Sequence, residues 1–372
     1  METHRIKSEN NILNKKRILV LGPIPPPYGG VSVFLENTLK YGFNNNKLNI
    51  NIFLRPTIGN SNIFSFLINE FRSIFLFLCI KNNDYEIIHI HTASYWSFYK
   101  NLPYIFITKY IFKIKIILHI HGGGFKNFYY DSSFIIKSLI RKSLNISDCL
   151  VLTSNYWIPI FREITTIKKI IVITNGFDER KFKLMDQLNC REKLSLPNDK
   201  KILINIAHLI EGKGHEFLID AMNNIIKYNK NILCIIIGEG LLRNSLEKKI
   251  NELNLKNHVL LKGSIDHSQI PLWLNASDIF VLPSIFEGNP TVMFEAMGCG
   301  KPFVGSSVGG IPDVITSGDY GLLSIPGNSL DLEEKMFLAL QKNWDIPKIL
   351  IYSKNFSWSN IFNKLENLYL ET

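Results

Sequence analysis

The 372-residue chain lacks the marks of a disulfide-built, zinc-finger or membrane-spanning protein. Its five cysteines, Cys79, Cys149, Cys190, Cys234 and Cys299, are odd in number and far apart. No Cys-x-x-Cys pair and no Cys/His cluster of zinc-binding spacing occurs, so neither a disulfide framework nor a structural zinc site is expected. Such cysteine usage fits a reducing cytoplasm. No run reaches the ~18 uncharged apolar residues of a membrane span. The nearest, residues 64–80, is broken by Asn69, Glu70 and Arg72. The polar tail 1–16 and the short apolar run 18–21 do not make a signal peptide. Acidic charge is scarce in one half only: residues 1–176 carry 21 Lys and Arg against 9 Asp and Glu, whereas 177–372 carry 21 against 23. The net charge of +10 therefore sits in the first half, which points to an anionic surface such as a cytoplasmic lipid leaflet. No RNA-binding motif accompanies the charge, and nucleic acid is not an expected partner.

What is present is a globular composition, 46% hydrophobic and 20% charged, long enough for two domains of ordinary size. Short, nearly unbroken apolar runs recur at residues 17–22, 48–54, 86–91, 115–121, 149–153 and 170–174. After a polar stretch they resume at 201–207, 233–238, 259–263, 278–283 and 302–306. Such runs read as parallel strands covered on both faces, and helical patterns of about ten to twenty residues separate them. The expected fold class is α/β, two doubly wound domains in succession. Ligands of such sheets bind just beyond the carboxyl ends of the strands, so the residues that follow each run carry the chemistry.

After the first run, Gly22-Pro-Ile-Pro-Pro-Pro-Tyr-Gly29-Gly30 leads into a helix, either as a plain tight turn or as a place where backbone N–H groups meet an anion. The fourth run ends in His121-Gly122-Gly123-Gly124, a glycine loop with a histidine at its mouth, while His89 and His91 read as ordinary strand residues. In the second half, His208 and Lys213-Gly214 follow a strand and could flank a phosphate. Gly238-Glu239-Gly240 and Gly263-Ser264-Ile265 follow two more, the latter able to offer backbone groups to a nucleobase edge.

The segment Glu287-Gly-Asn-Pro-Thr-Val-Met-Phe-Glu295 carries the densest signal. Asn289 is expected as N-cap with Pro290 in the first helical position, leaving Thr291 and Val292 to present free N–H groups. Glu287 then precedes the helix, and Glu295 lies inside it on an apolar stripe. A carboxylate there needs partners, either a vicinal diol or a protein donor. Val308-Gly309-Gly310-Ile-Pro312-Asp313 closes the rim.

With these residues in view, 201–324 closely resembles the retaining nucleotide-sugar glycosyltransferases of family 4 (glycosyl transferases group 1). The resemblance rests on the lysine–glycine turn, the glycine–glutamate–glycine turn, two glutamates eight positions apart and Gly309-Gly310-Ile-Pro. The first half matches more thinly, at Gly29-Gly30-Val31, His121-Gly122 and Asn175-Gly176-Phe-Asp178. The resemblance implies the GT-B fold, two Rossmann-like domains facing a central cleft. It assigns residues 1–176 to acceptor binding, 177–200 to a linker and 201–346 to nucleotide-sugar binding, with a C-terminal helix within 347–372 that commonly crosses back.

The same resemblance implies roles for single residues. Glu287 contacts the transferred sugar, Glu295 holds the ribose hydroxyls, and Lys213 and His208 neutralise the diphosphate with help from Gly30 and Thr291. His121 bonds the sugar near its 6-position, and Gly238, Ser264, Ile265, Asn289 and Val292 complete the donor site. It also implies no metal, in keeping with the lack of an Asp-x-Asp motif; the nearest match is Asp331-Leu-Glu333. One departure stands out: His208 occupies a position usually held by arginine. An imidazole with an ordinary pKa of ~6.5 would grip the diphosphate better as pH falls towards ~6.

The basic half adds the stretch 95–115, where aromatics alternate with Lys100, Lys109, Lys113 and Lys115. It suits either a membrane interface or a core helix with a solvated face. The resulting expectation is a hexose or N-acetylhexosamine passing from a nucleotide diphosphate sugar, UDP-linked by preference, to a lipid-linked saccharide in bacterial surface-polysaccharide assembly. The enzyme would sit peripherally on the inner face of the cytoplasmic membrane. A soluble acceptor, a sugar phosphorylase and a non-catalytic nucleotide-sugar binder are the alternatives.

Overall fold

The computed structural model describes residues 15–23, 30–42, 47–54, 63–81 and 84–372. Gly29 and most of the polar tail, residues 1–14, lie outside them. The chain forms two compact units, residues 1–175 with 358–372, and residues 176–357.

Unit 1 is built on strands β1 (Lys16–Gly22), β2 (Leu48–Leu54), β3 (Ile87–Thr92), β4 (Lys115–Ile120), β5 (Cys149–Leu152) and β6 (Ile170–Val172). They pair in parallel in the order β2-β1-β3-β4-β5-β6. Each face buries an apolar cluster, as a sheet covered by helices on each side requires. One face packs Leu19, Ile88, Ile116 and Leu150 beneath Phe98, Tyr104 and Phe161. The other packs Ile18, Val20 and Val151 beneath Phe34, Trp358 and Leu365.

Unit 2 repeats the plan with β7 (Lys201–Ile206), β8 (Ile232–Ile237), β9 (Val259–Gly263), β10 (Ile279–Leu282), β11 (Phe303–Ser306) and β12 (Gly321–Ser324), in the order β12-β11-β10-β7-β8-β9. The connections reverse direction between β7 and β10, so the loops after those two strands open a crevice at the carboxyl edge of the sheet.

Two segments differ from the sequence reading. Residues 177–200 are part of unit 2: Phe177, Phe182 and Cys190 are buried in its core. Arg191, 4% exposed, pairs with Asp278 at 2.8 Å and donates to the Ala276 carbonyl at 2.9 Å. The few apolar side chains of this mostly polar stretch are buried in unit 2, which ties it down as part of that unit. The C-terminal residues divide, with helix Ile346–Ser353 in unit 2 and Trp358–Glu371 in unit 1, where Trp358, Phe362 and Tyr369 are buried. Phe177 and Ser357 form a short parallel bridge where the chain passes from one unit to the other.

The aromatic and basic stretch is largely core. Phe98, Tyr104 and Phe112 are buried, and Lys100 is tied to Glu70 at 3.2 Å and Lys109 to Asp148 at 3.4 Å. Only Tyr95, Trp96, Tyr110 and Ile111 expose large apolar surface.

Candidate functional site

The crevice of unit 2 is laced together by backbone. The loop after β10 donates from Ile285 N–H to the Gly212 carbonyl at 2.8 Å, tying it to the loop after β7. From the far side, Gly310 N–H donates to the Gly288 carbonyl at 2.8 Å. Gly309 lies directly under that loop at φ +53°, and a Cβ there would sit 1.9 Å from the Glu287 carbonyl oxygen. Gly214, at φ +72°, is pressed just as closely against the Pro283 carbonyl. These glycines thus let one loop of the rim pack on another, where the sequence reading had Gly214 making room for phosphate. Gly309→Ala should therefore shift the Glu287 loop, lowering stability by ~1–3 kcal/mol and with it the thermal midpoint. Calorimetric melting checks this, and an unchanged midpoint would count against the packing role.

Between the laced loops, Lys213 Nζ meets Glu287 Oε1 at 2.8 Å, and Ser284 Oγ donates to the same oxygen at 2.7 Å. The Glu287 side chain is 8% exposed and that of Lys213 is 25% exposed. The sequence reading placed these two residues against different parts of a donor, the lysine beside His208. The structure turns the lysine onto the glutamate, because a carboxylate this buried needs a cation or strong donors. His208 is exposed, in the loop after β7.

The helix expected from Asn289 is Thr291–Gly298, and its cap is Pro290, not Asn289. Pro290 has extended backbone (φ −70°, ψ 118°), which suits the half-in residue preceding a helix. Thr291 and Val292 occupy the first two helical positions, half-buried, where N–H groups have no intrahelical acceptor. Glu295 is 6% exposed, and its Oε1 lies 2.9 Å from His267 Nε2.

Sequence reasoning missed His267. It stands four residues past Gly263 in the loop after β9, packs on the Phe182 ring with centroids 5.4 Å apart, and leaves its side chain 64% exposed. Its hydrogen bond to Glu295 raises its pKa above the ordinary histidine value. The pair therefore contributes stability that is fully present below pH ~6.5 and lost as pH rises through the raised pKa. Solvent screening of so exposed a ring keeps the loss under ~1 kcal/mol. Melting between pH 6 and 8 should show a small fall in the wild type that is absent in His267→Gln.

The remaining expected donor residues spread along the same edge. Gly238 follows β8 and donates its N–H to the Gly263 carbonyl at 3.0 Å, and its φ of +150° accommodates the Ala207 carbonyl beside it. Ser264 is exposed, whereas the side chain of Ile265 packs partly into the core.

In unit 1, Gly30 opens helix Gly30–Gly42, and no atom of the described residues lies within 4 Å of where a Cβ would be. His121 follows β4, half-buried, with its N–H on the Thr92 carbonyl at 2.8 Å. His121 Nε2 lies 2.8 Å from His91 Nδ1. The ring of His121 also stacks on that of His119, with centroids 4.0 Å apart. His89 and His91 are buried residues of β3, as expected, and their rings lie beside that of His119. Because β3 and β4 are parallel with His91 opposite His119, alternation puts His89, His91, His119 and His121 on one face of the sheet. Burial holds the imidazoles of His89, His91 and His119 well below the ordinary pKa, His89 at about 3, so they are neutral.

Residues 186–354 match the family model described as glycosyl transferases group 1. N-acetyl-alpha-D-glucosaminyl L-malate synthase of Bacillus anthracis is 27% identical over 262 residues, 70% of this chain and 67% of that protein. UDP-Gal:alpha-D-GlcNAc-diphosphoundecaprenol alpha-1,3-galactosyltransferase of Escherichia coli is 27% identical over 341 residues, 82% of this chain and 80% of its own. Among solved structures, Anabaena HepE in complex with UDP aligns over 96% of this chain and 100% of that one, with a TM-score of 0.75 at 19% identity. Taken with the two doubly wound parallel sheets, these matches give the chain the GT-B fold, with residues 186–354 matching glycosyl transferases group 1.

Proposed function

We propose that this glycosyltransferase moves a hexose or N-acetylhexosamine from a UDP-sugar to a lipid-linked saccharide, with retention at the anomeric carbon. The Lys213–Glu287 pair at the switch between β7 and β10 carries the reading. Both bonds to Glu287 fall on Oε1, so its second oxygen is the one offered to a hydroxyl of the transferred sugar. Lys213 Nζ then faces the diphosphate, joined by His208 and by the N–H groups of Thr291 and Val292. Glu295 takes the ribose hydroxyls, and Ser264 and Ile265 border the base.

In the transfer, the bond from the anomeric carbon to the β-phosphate oxygen breaks and one to the acceptor oxygen forms. The acceptor proton passes to the departing phosphate, whose charge the Lys213 cation and the helix N-terminus stabilise. With those charges supplied by protein, chelator should leave turnover unchanged.

Two observations support an acceptor at a membrane. The name of the E. coli relative specifies a diphosphoundecaprenol-linked substrate. Unit 1, which holds the basic half, exposes Phe71 (73%) and Phe75 (66%) on helix Ile63–Leu78, and Phe134 (85%) on helix Phe134–Asn145. Among the described residues no helix is long and apolar enough to cross a membrane. Contact with the cytoplasmic leaflet would therefore be peripheral, through these aromatics and the surrounding lysines.

Sedimentation with vesicles containing anionic lipid should carry the wild type down, and Phe71→Asp with Phe75→Asp should weaken binding by at least about tenfold. Turnover of a UDP-sugar on a diphosphate-linked lipid saccharide, with the product anomer read by NMR, tests the reaction itself. Turnover on soluble acceptors alone, without vesicle binding, would favour the soluble reading, for which the malate-linked name of the B. anthracis relative is the precedent.

A further inference from the structure

We propose that the imidazoles of His89, His91 and His119 form a buried site in unit 1 for one divalent transition-metal ion, Zn²⁺ foremost. The proposal does not rest on the transferase reading.

The first argument is geometric. β3 and β4 run parallel with His91 opposite His119, and His89 lies two residues earlier on the same face. One nitrogen from each ring lies within 4.8 Å of the others. Ligation at the usual Zn–N distance of ~2.1 Å sets tetrahedral nitrogens about 3.4 Å apart, so the nitrogens must draw closer, and the His89 and His119 rings, parallel to within 2°, must tilt to share one ion. Phe34, edge-on to His119 at 4.8 Å between centroids, and Trp358 cover the group from above.

The second argument is hydrogen-bond accounting. Among the described residues, His89 Nε2, His91 Nε2 and both nitrogens of His119 are buried with no hydrogen-bond partner. Native cores seldom leave so many polar atoms unsatisfied in one place.

The third is the arrangement of the outer nitrogens. His89 Nδ1 is 2.6 Å from the Tyr369 hydroxyl, and His91 Nδ1 is 2.8 Å from His121 Nε2. A metal-bound histidine characteristically gives its other N–H to such a partner, which fixes the tautomer and leaves the inner lone pair for the ion. His89 and His91 both follow this pattern with Nε2 inward.

An all-imidazole donor set suits Zn²⁺, Cu²⁺ or Ni²⁺ rather than Mg²⁺ or Ca²⁺, and a water would take the fourth position. The ion would join two central strands to helix Trp358–Glu371 through Tyr369 and support His121 from behind through His91. Its role is structural, and no step of transfer passes through it. The sequence expectation of no zinc rested on Cys/His spacing, whereas this set is assembled by strand register.

The full-length protein, refolded with excess Zn²⁺ and dialysed, should retain one ion per chain by elemental analysis. The Co²⁺ form should show visible ligand-field absorption, and metal should raise the thermal midpoint. His119→Leu and His91→Leu should lose retention, whereas His258→Gln, outside the cluster, should keep it. Tyr369→Phe preserves packing and should weaken Zn²⁺ affinity by about 10–100-fold. Only trace metal in the refolded wild type, or equal retention by wild type and a His89→Leu/His119→Leu double variant, would overturn the site and leave buried water to satisfy these nitrogens. The wild-type measurement decides even where a leucine variant does not fold.

Discussion

Lys213→Ala should lower turnover by about 10²–10³, the loss typical when one group that stabilises a developing charge is removed. The substitution does two things at once. It takes away the cation that faces the departing diphosphate, and it leaves Glu287, 8% exposed, with only the Ser284 hydroxyl on its Oε1. Stranding that carboxylate should cost ~1–3 kcal/mol of stability in unit 2. The two effects separate in a double variant. Lys213→Ala with Glu287→Gln removes the uncompensated charge, so thermal stability should largely return while turnover does not. If turnover returned with stability, Lys213 would serve the fold alone. If Lys213→Ala changed neither, the pair would be a surface ornament and the reading of the crevice would fall.

Glu295→Ala should weaken UDP binding by about 100-fold, the equivalent of two charged hydrogen bonds at ~1.5 kcal/mol each. A buried carboxylate on an apolar helix is poorly placed for stability, and its Oε1 lies 2.9 Å from His267 Nε2. The ribose explanation predicts an interaction between protein and ligand changes. 2′-Deoxy-UDP should bind the wild type less tightly than UDP, and Glu295→Ala should cost less affinity for it than for UDP. An equal cost for both nucleotides would assign Glu295 a purely structural partnership with His267.

Eleven of the twelve strands among the described residues could be read from the chain because parallel strands covered on both faces are nearly continuous in Ile, Leu and Val. β12 escaped notice, since Gly321–Ser324 is four residues with only two apolar side chains. Around the site, residue types were legible and their partners were not. Glu295 was expected to need a donor, but nothing in a polar loop 28 residues earlier marked His267 as that donor. Lys213 and Glu287 are 74 positions apart and meet only because the sheet reverses its winding between β7 and β10. Gly214 was expected beside a phosphate and Gly309 in a turn closing the rim, whereas each lies against the backbone of a neighbouring loop. The four histidines of β3 and β4 were visible singly, and their grouping depends on a register that only strand pairing defines.

The central claim is that the crevice of unit 2 is a nucleotide-sugar site served by protein charges. Calorimetric titration of UDP, GDP and ADP into the wild-type protein with chelator present tests it most directly. The account predicts saturable 1:1 binding of UDP, in preference to the other two and unaffected by chelator. Absence of binding by all three nucleotides, or binding that appears only when a divalent metal is added, would contradict it.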